Sequence, residues 1–245
     1  MCHCGFDAKL ACYKQVLWVL VTSMSSGRNN AVKKGQEGRL TQAERTALSD
    51  TRMVETAIDL IVQHGIEGMT LKEVGEAAGY SRGLAGYRFG SKEGLMNHVI
   101  RTIGDEWLRE LTQVTSGKVG LDAICSAIDA HYRFCREAPD HVFAFYILWF
   151  QSVSPGSLCK DVMVSIHERR QKDVAEWIKQ GIEKGLIDPS VNTDVVAEQF
   201  CSAVIGIVYQ WLVKPEALDE VERLHAGLKQ IMKKLLPPVQ GQGKA

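Results

Sequence analysis

The chain has no net charge: 29 basic and 29 acidic residues cancel over 245 positions. Whole-chain electrostatics therefore point to no polyanionic partner, and any basic surface has to be local. No Cys-x-x-Cys pair occurs among the seven cysteines, at 2, 4, 12, 125, 135, 159 and 201. An odd count without a spacing framework excludes a disulfide scaffold and predicts reduced thiols in a cytoplasmic protein. Cys2-His3-Cys4 lacks a second ligand cluster at metal spacing, so neither a metal site nor a cofactor is expected. The apolar run at 16–21 is far shorter than the roughly 20 residues of a membrane span, and no clean cleavage site follows it. It reads as part of an upstream extension, and no membrane association is expected. Alternating strand patterns and internal repeats are missing. So are Gly-rich phosphate loops of the Walker or dinucleotide type.

What the chain does contain is helical periodicity, punctuated by glycine and only six prolines. Residues 25–40 form a polar arm in which Arg28, Lys33, Lys34 and Arg39 face Glu37 alone, and residues 1–40 are expected to be a flexible extension. Ala57, Leu60 and Ile61 then form one apolar face, on a helix starting near Thr41 or Ser49 and ending before Gly65. Thr70-Leu71-Lys72-Glu73 fits a capping box opening a short helix that stops at Gly79. Ser81 is placed to cap a second short helix, which Gly90 ends. Ser91 opens a longer helix at 91–113 with Leu95, Val99, Ile103, Trp107 and Leu111 on one face. Five more are expected at 120–137, 139–152, 157–185, 193–213 and 219–236, with prolines near their junctions and a disordered tail at 237–245. The fold class is therefore all-α.

Two motifs suggest catalysis and fail on context. Gly79-Tyr80-Ser81-Arg82-Gly83 matches the G-x-S-x-G elbow of serine hydrolases, which needs a strand before its serine. Here Leu71, Val74, Ala77 and Ala78 precede it at helical spacing. His167-Glu168-Arg169-Arg170-Gln171 misses the second histidine of H-E-x-x-H and reads as a solvated charged stretch. Nothing else points to an enzyme. The two short helices around Gly79 instead make a helix-turn-helix. Gly75 and Ala78 are small enough for close crossing. The second helix carries Arg82 and Arg88, with Tyr87 as an amphipathic ring, Lys92 stands at the first turn of the helix that follows, and residues 81–92 contain no acidic residue. A buried small-residue helix would explain Gly83, Ala85 and Gly86, but not the three cations.

Residues 50–105 resemble the DNA-binding domain of TetR-family transcriptional regulators. The resemblance lies in Thr70-Leu71-Lys72-Glu73-Val74, Gly79-Tyr80-Ser81-Arg82-Gly83 and the run from Tyr87 through Ser91-Lys92-Glu93-Gly94-Leu95. Arg88 stands where the family usually has histidine, and Gly86 where a second aromatic is common. The resemblance implies a double-stranded DNA operator as partner, with Thr70, Tyr87 and Lys92 holding phosphates. Ser81, Arg82, Gly83 and Ala85 would lie near base edges, Arg82 facing a guanine, and Arg88 would serve either role.

It also implies three segments. Residues 41–105 would form a helix-turn-helix DNA-binding domain, 106–236 an effector-binding and dimerisation domain, and 237–245 a tail. The aromatic-rich helix around 141–150 is apolar nearly all round and hence buried. Tyr132, Cys135, Phe145, Tyr146 and Trp149 are its implied pocket residues, for a hydrophobic or aromatic small-molecule effector. The last two helices would pair with those of a second copy, making a homodimer that reads a palindromic operator. The expected function is a ligand-released repressor. The alternative is a helix-turn-helix regulator without a pocket, controlled by a protein partner or by oxidation of Cys135 or Cys125.

Overall fold

Side-chain caps and left-handed glycines set most of the helix ends. The computed structural model describes residues 41–239, so the polar arm, the run at 16–21 and the last residues of the tail lie outside the described residues. Among the described residues all regular structure is helical. Helix α1 (Gln42–His64) starts next to Thr41, the earlier of the two expected starts, and stops at Gly65, whose φ is 70°. Helix α2 (Leu71–Ala77) opens with the full capping box. Glu73 donates its amide to the Thr70 hydroxyl oxygen at 3.2 Å, and the Thr70 amide donates to the Glu73 carboxylate at 2.9 Å. Such a cap contributes about 1 kcal/mol. Gly79, at φ 81°, turns the chain out of α2, and Tyr80 donates its amide back to the Gly75 carbonyl at 2.9 Å.

Helix α3 spans Leu84–Phe89, three residues later than the start expected at Ser81. The reason is local. Arg82 and Gly83 are used up in a turn closed by Leu84 N–H to Ser81 C=O at 3.0 Å, and the Ser81 side chain caps nothing. Helix α4 (Lys92–Thr115) does have its expected cap, the Ser91 hydroxyl accepting from Gly94 N–H at 3.0 Å. The remaining helices are α5 (Gly120–Glu137), α6 (Pro139–Gln151), α7 (Lys160–Glu183), α8 (Thr193–Val213) and α9 (Leu218–Leu235). Their bounds follow the proline and glycine punctuation closely.

Helices α1, α2 and α3 pack on one another and on the start of α4, forming a head. Its core joins Met53, Ala57 and Ile61 of α1 to Val74 of α2, Ala85 of α3 and Leu95 of α4. In the larger half, α5 is the central helix, touching α4, α6, α7 and α9. Both α1 and α4 also lean on α6, so the head meets the rest of the molecule along two helices. Helix α6 is buried as its composition requires, with Val142, Ala144, Phe145, Tyr146 and Leu148 almost fully enclosed. Helix α8 is long and apolar enough to cross a membrane by length and composition, but here it packs on α7 and α9.

Candidate functional site

The close crossing of α2 and α3 depends on Gly75. A methyl group there would stand 2.9 Å from the Ser81 carbonyl oxygen and 3.8 Å from the Ala85 methyl. The crossing presents the outer side of α3 to solvent. Tyr87 is 82% exposed, Ser81, Arg82 and Gly83 are exposed, and Lys92 is half-buried at the first turn of α4. Thr70 is exposed at the head of α2. These six of the eight expected DNA contacts are at least partly accessible to solvent. Ala85 is not. It is fully buried between α3 and α2, so it spaces the helices and cannot reach a base edge.

Arg88 is also turned inward. Its guanidinium donates to the Thr46 hydroxyl at 2.9 Å and lies 3.3 Å from an Asp50 carboxylate oxygen, an ion pair not aligned as a hydrogen bond. It braces α3 against α1. Arg82 pairs with Glu76 of α2. The acid-free stretch of sequence is therefore not an acid-free surface, because Asp50 and Glu76 come in from neighbouring helices.

The second site is a partly open cavity of about 210 Å³ between α4, α5, α6 and α7. Ile100, Ile103, Trp107, Phe134, Val142, Phe145, Tyr146 and Ile166 make its apolar walls. A smaller void of about 60 Å³ continues toward α8 and shares Trp107, Leu111, His131, Arg170 and Asp173 with it. Arg170 is the main polar feature. Its guanidinium carbon lies 5.1, 5.9 and 5.2 Å from the ring centres of Phe145, Tyr146 and Trp149, and Nη1 is 3.4 Å from the Tyr146 hydroxyl. Ring faces attract a cation but do not neutralise it. Asp173 lines the same wall but pairs with Arg169 at 3.8 Å, and burial pushes its carboxyl up.

Comparisons with known proteins bear on both sites. The model of the "Bacterial regulatory proteins, tetR family" matches residues 53–99, from mid α1 to the first turns of α4. These residues form a TetR-family DNA-binding domain. The HTH-type transcriptional regulator RutR of Escherichia coli K12 is 29% identical over 157 residues, covering 63% of this chain and 71% of RutR. A TetR-family regulator from Rhodococcus sp. superposes with a TM-score of 0.67 at 21% identity, over 78% of this chain and all of that one. AibR, solved in complex with isovaleryl coenzyme A and operator DNA, gives 0.61 at 22%, over 78% and 99%. The likeness in structure is one of fold. It agrees with the family match in placing a TetR-family DNA-binding domain at the head of an all-helical chain.

The implied pocket residues separate. Phe145 and Tyr146 line the cavity. Tyr132 instead donates its hydroxyl to Glu222 at 3.2 Å, near the surface beside α9. Trp149 stands behind the lining, against Arg170, Phe145 and Tyr146, and Cys135 is sealed behind His131, with Sγ 3.8 Å from its Nδ1. Burial pushes the Cys135 thiol up to about 12 and raises Cys125 too. The thiolate that oxidation requires is thus disfavoured at both candidate redox residues.

Sequence reasoning missed Arg170. The stretch at 167–171 is not simply solvated: His167 packs edge-on to Trp149 at 5.6 Å, and Arg170 faces the cavity. Mid-helix cations are usually solvent-exposed, and the local sequence carries no sign that α6 would lay three rings against this one.

Proposed function

We propose that the chain is a homodimeric repressor whose grip on a palindromic operator is released by a small acidic molecule with an apolar body. The observation that carries this reading is Arg170, which has no carboxylate partner among the described residues and lies against aromatic faces in a mostly apolar cavity that Arg101, Asp105, Arg169 and Asp173 also line. Desolvating a cation without an anion is costly, so a ligand carboxylate would gain there what a neutral one would not. The cavity is at the small end for ligand sites, which favours an aryl or short acyl acid. That AibR was solved with both an acyl thioester and operator DNA supports coupling of this kind on this fold.

Helix α4 is the mechanical link. Its first turns carry Lys92 and pack the head, and its middle, from Ile100 to Leu111, walls the cavity. A ligand shifts the dimer only by its differential affinity for the operator-bound and released forms. Lys92, Thr70 and Tyr87 would hold phosphates, and Arg82, freed from Glu76, would reach a guanine. Two-fold symmetry would set the reading helices about 34 Å apart or somewhat more. The exposed apolar residues Tyr209 and Val213 of α8 and Ile231 of α9 supply the pairing face.

The test is footprinting of the full chain on DNA upstream of its own gene, at two salt concentrations, with aryl and short acyl carboxylates and their amides. A salt-sensitive palindromic footprint that acids erase and amides leave intact is expected. With Arg170→Gln the acids should lose their effect while the footprint stays. Acids and amides acting alike would overturn the effector assignment.

A further inference from the structure

Behind the cavity wall, at the contact of α5 with α9, three metal-binding side chains converge. His131 and Cys135 are four residues apart on α5 and so share a face. His225 arrives from α9. His131 Nδ1 lies 2.8 Å from His225 Nε2 and 3.8 Å from Cys135 Sγ, and one donor atom from each of the three residues lies within 4.8 Å of the others. All three are buried, at 7%, 0% and 3% exposure. We infer that His131, Cys135 and His225 form a binding site for a thiophilic d¹⁰ cation of the Zn²⁺ or Cu⁺ type.

The donor set selects that class. Two imidazole nitrogens and one thiolate suit zinc and cuprous copper, while magnesium and calcium require oxygen ligands. The second imidazole is already oriented. His225 Nδ1 lies 2.7 Å from the Val221 carbonyl, so its proton is committed there and Nε2 presents a lone pair. A ring N–H tied to a backbone carbonyl is the usual support of a ligating histidine.

In the metal-free chain His131 Nδ1–H donates to His225 Nε2. Loading shifts that proton to His131 Nε2, freeing Nδ1 for the cation. The Cys135 S–H bond breaks, its electron pair forms the metal–sulfur bond, and one proton leaves to solvent. No redox change is involved. Because His131 also lines both voids, the effector space offers an entry route. A filled site would cross-link α5 to α9.

Cys2, His3 and Cys4 could bind the same cations, so the test uses the full chain carrying Cys2→Ser and Cys4→Ser. Purified protein is titrated separately with Zn²⁺, with Cu⁺ under anaerobic conditions, and with Co²⁺ as the optical probe. One equivalent of Zn²⁺ or Cu⁺ per chain is expected, with a Co²⁺ spectrum containing an intense thiolate-to-metal band. Cys135→Ala should abolish that band, and His225→Gln should weaken Zn²⁺ or Cu⁺ binding at least tenfold. Both variants are checked by melting, and Cys135→Ala, which only trims a buried side chain, serves if His225→Gln fails to fold. Absence of stoichiometric binding, or a thiolate band that survives Cys135→Ala, overturns the site.

Discussion

Gly94 is the most constrained residue of the head. A methyl group there would stand 2.0 Å from the Phe89 carbonyl oxygen, a backbone atom that no rotamer change can move. At Gly75 the corresponding gap, to the Ser81 carbonyl, is 2.9 Å. Gly94→Ala should therefore cost about 3 kcal/mol, in the range of strained core substitutions, despite alanine's better helix propensity. Thermal denaturation would show it, and a variant as stable as the wild type would contradict this geometry. Residue types near the turn were legible in the sequence: the capping threonine, the left-handed Gly79 and the small Gly75 all serve as expected. The roles of Ala85, Arg82 and Arg88 were not. Each is fixed by a residue distant in sequence or on the other helix of the motif: Ala85 by Gly75, Arg82 by Glu76, Arg88 by Thr46 and Asp50. A local count of charge cannot anticipate such partners.

Helices were the most legible elements, because caps and glycine stops act locally while tertiary contacts only choose which face is buried. The exceptions are the late starts of α7, at Lys160 against an expected 157, and of α3, where the Arg82-Gly83 turn replaces the first helical turn. What the pattern could not foretell is how the head is fastened. His141, at the start of α6, bridges Glu106 of α4 at 2.8 Å through Nδ1 and Glu55 of α1 at 3.2 Å through Nε2. Burial would push this imidazole down, but the two carboxylates outweigh it and hold the group up at about 10. A raised folded-state value stabilises the fold fully below the ordinary value of 6.5, and the benefit fades as pH climbs through about 10. Each pH unit in that window removes at most about 1.4 kcal/mol. The wild type should therefore lose melting temperature between pH 6.5 and 10 relative to His141→Gln. Parallel pH–stability curves for the two proteins would show that the bridge carries no such linkage.

At the scale of the whole molecule, the proposed dimer needs a face on which two reading heads can be joined. Helix α9 buries Val221, His225, Leu228 and Met232 against its own subunit, yet leaves Ile231 52% exposed on the other side, near Gly227. Helix α8 does the same, burying Phe200, Ile207, Val208 and Trp211 while Tyr209 and Val213 remain 56% and 62% exposed. Gly206 lies on that outer stripe, and a Cβ added there meets nothing within 4 Å beyond its chain neighbours and the nearby backbone of its own helix. Apolar surface on two adjacent helices, with glycines that permit close approach, is what a self-complementary two-fold contact needs. This separates the subunit's stability from its assembly. Gly206→Arg should leave the stability of the isolated subunit within about 0.5 kcal/mol of wild type, since surface changes away from special features are nearly neutral. In a dimer the same arginine would be driven into the partner's face. Sedimentation should then report a monomer, and operator affinity should drop toward the weak binding of a single head, because the second head's local concentration is lost. If Gly206→Arg still sediments as a dimer with full affinity, the pairing face lies elsewhere on the molecule.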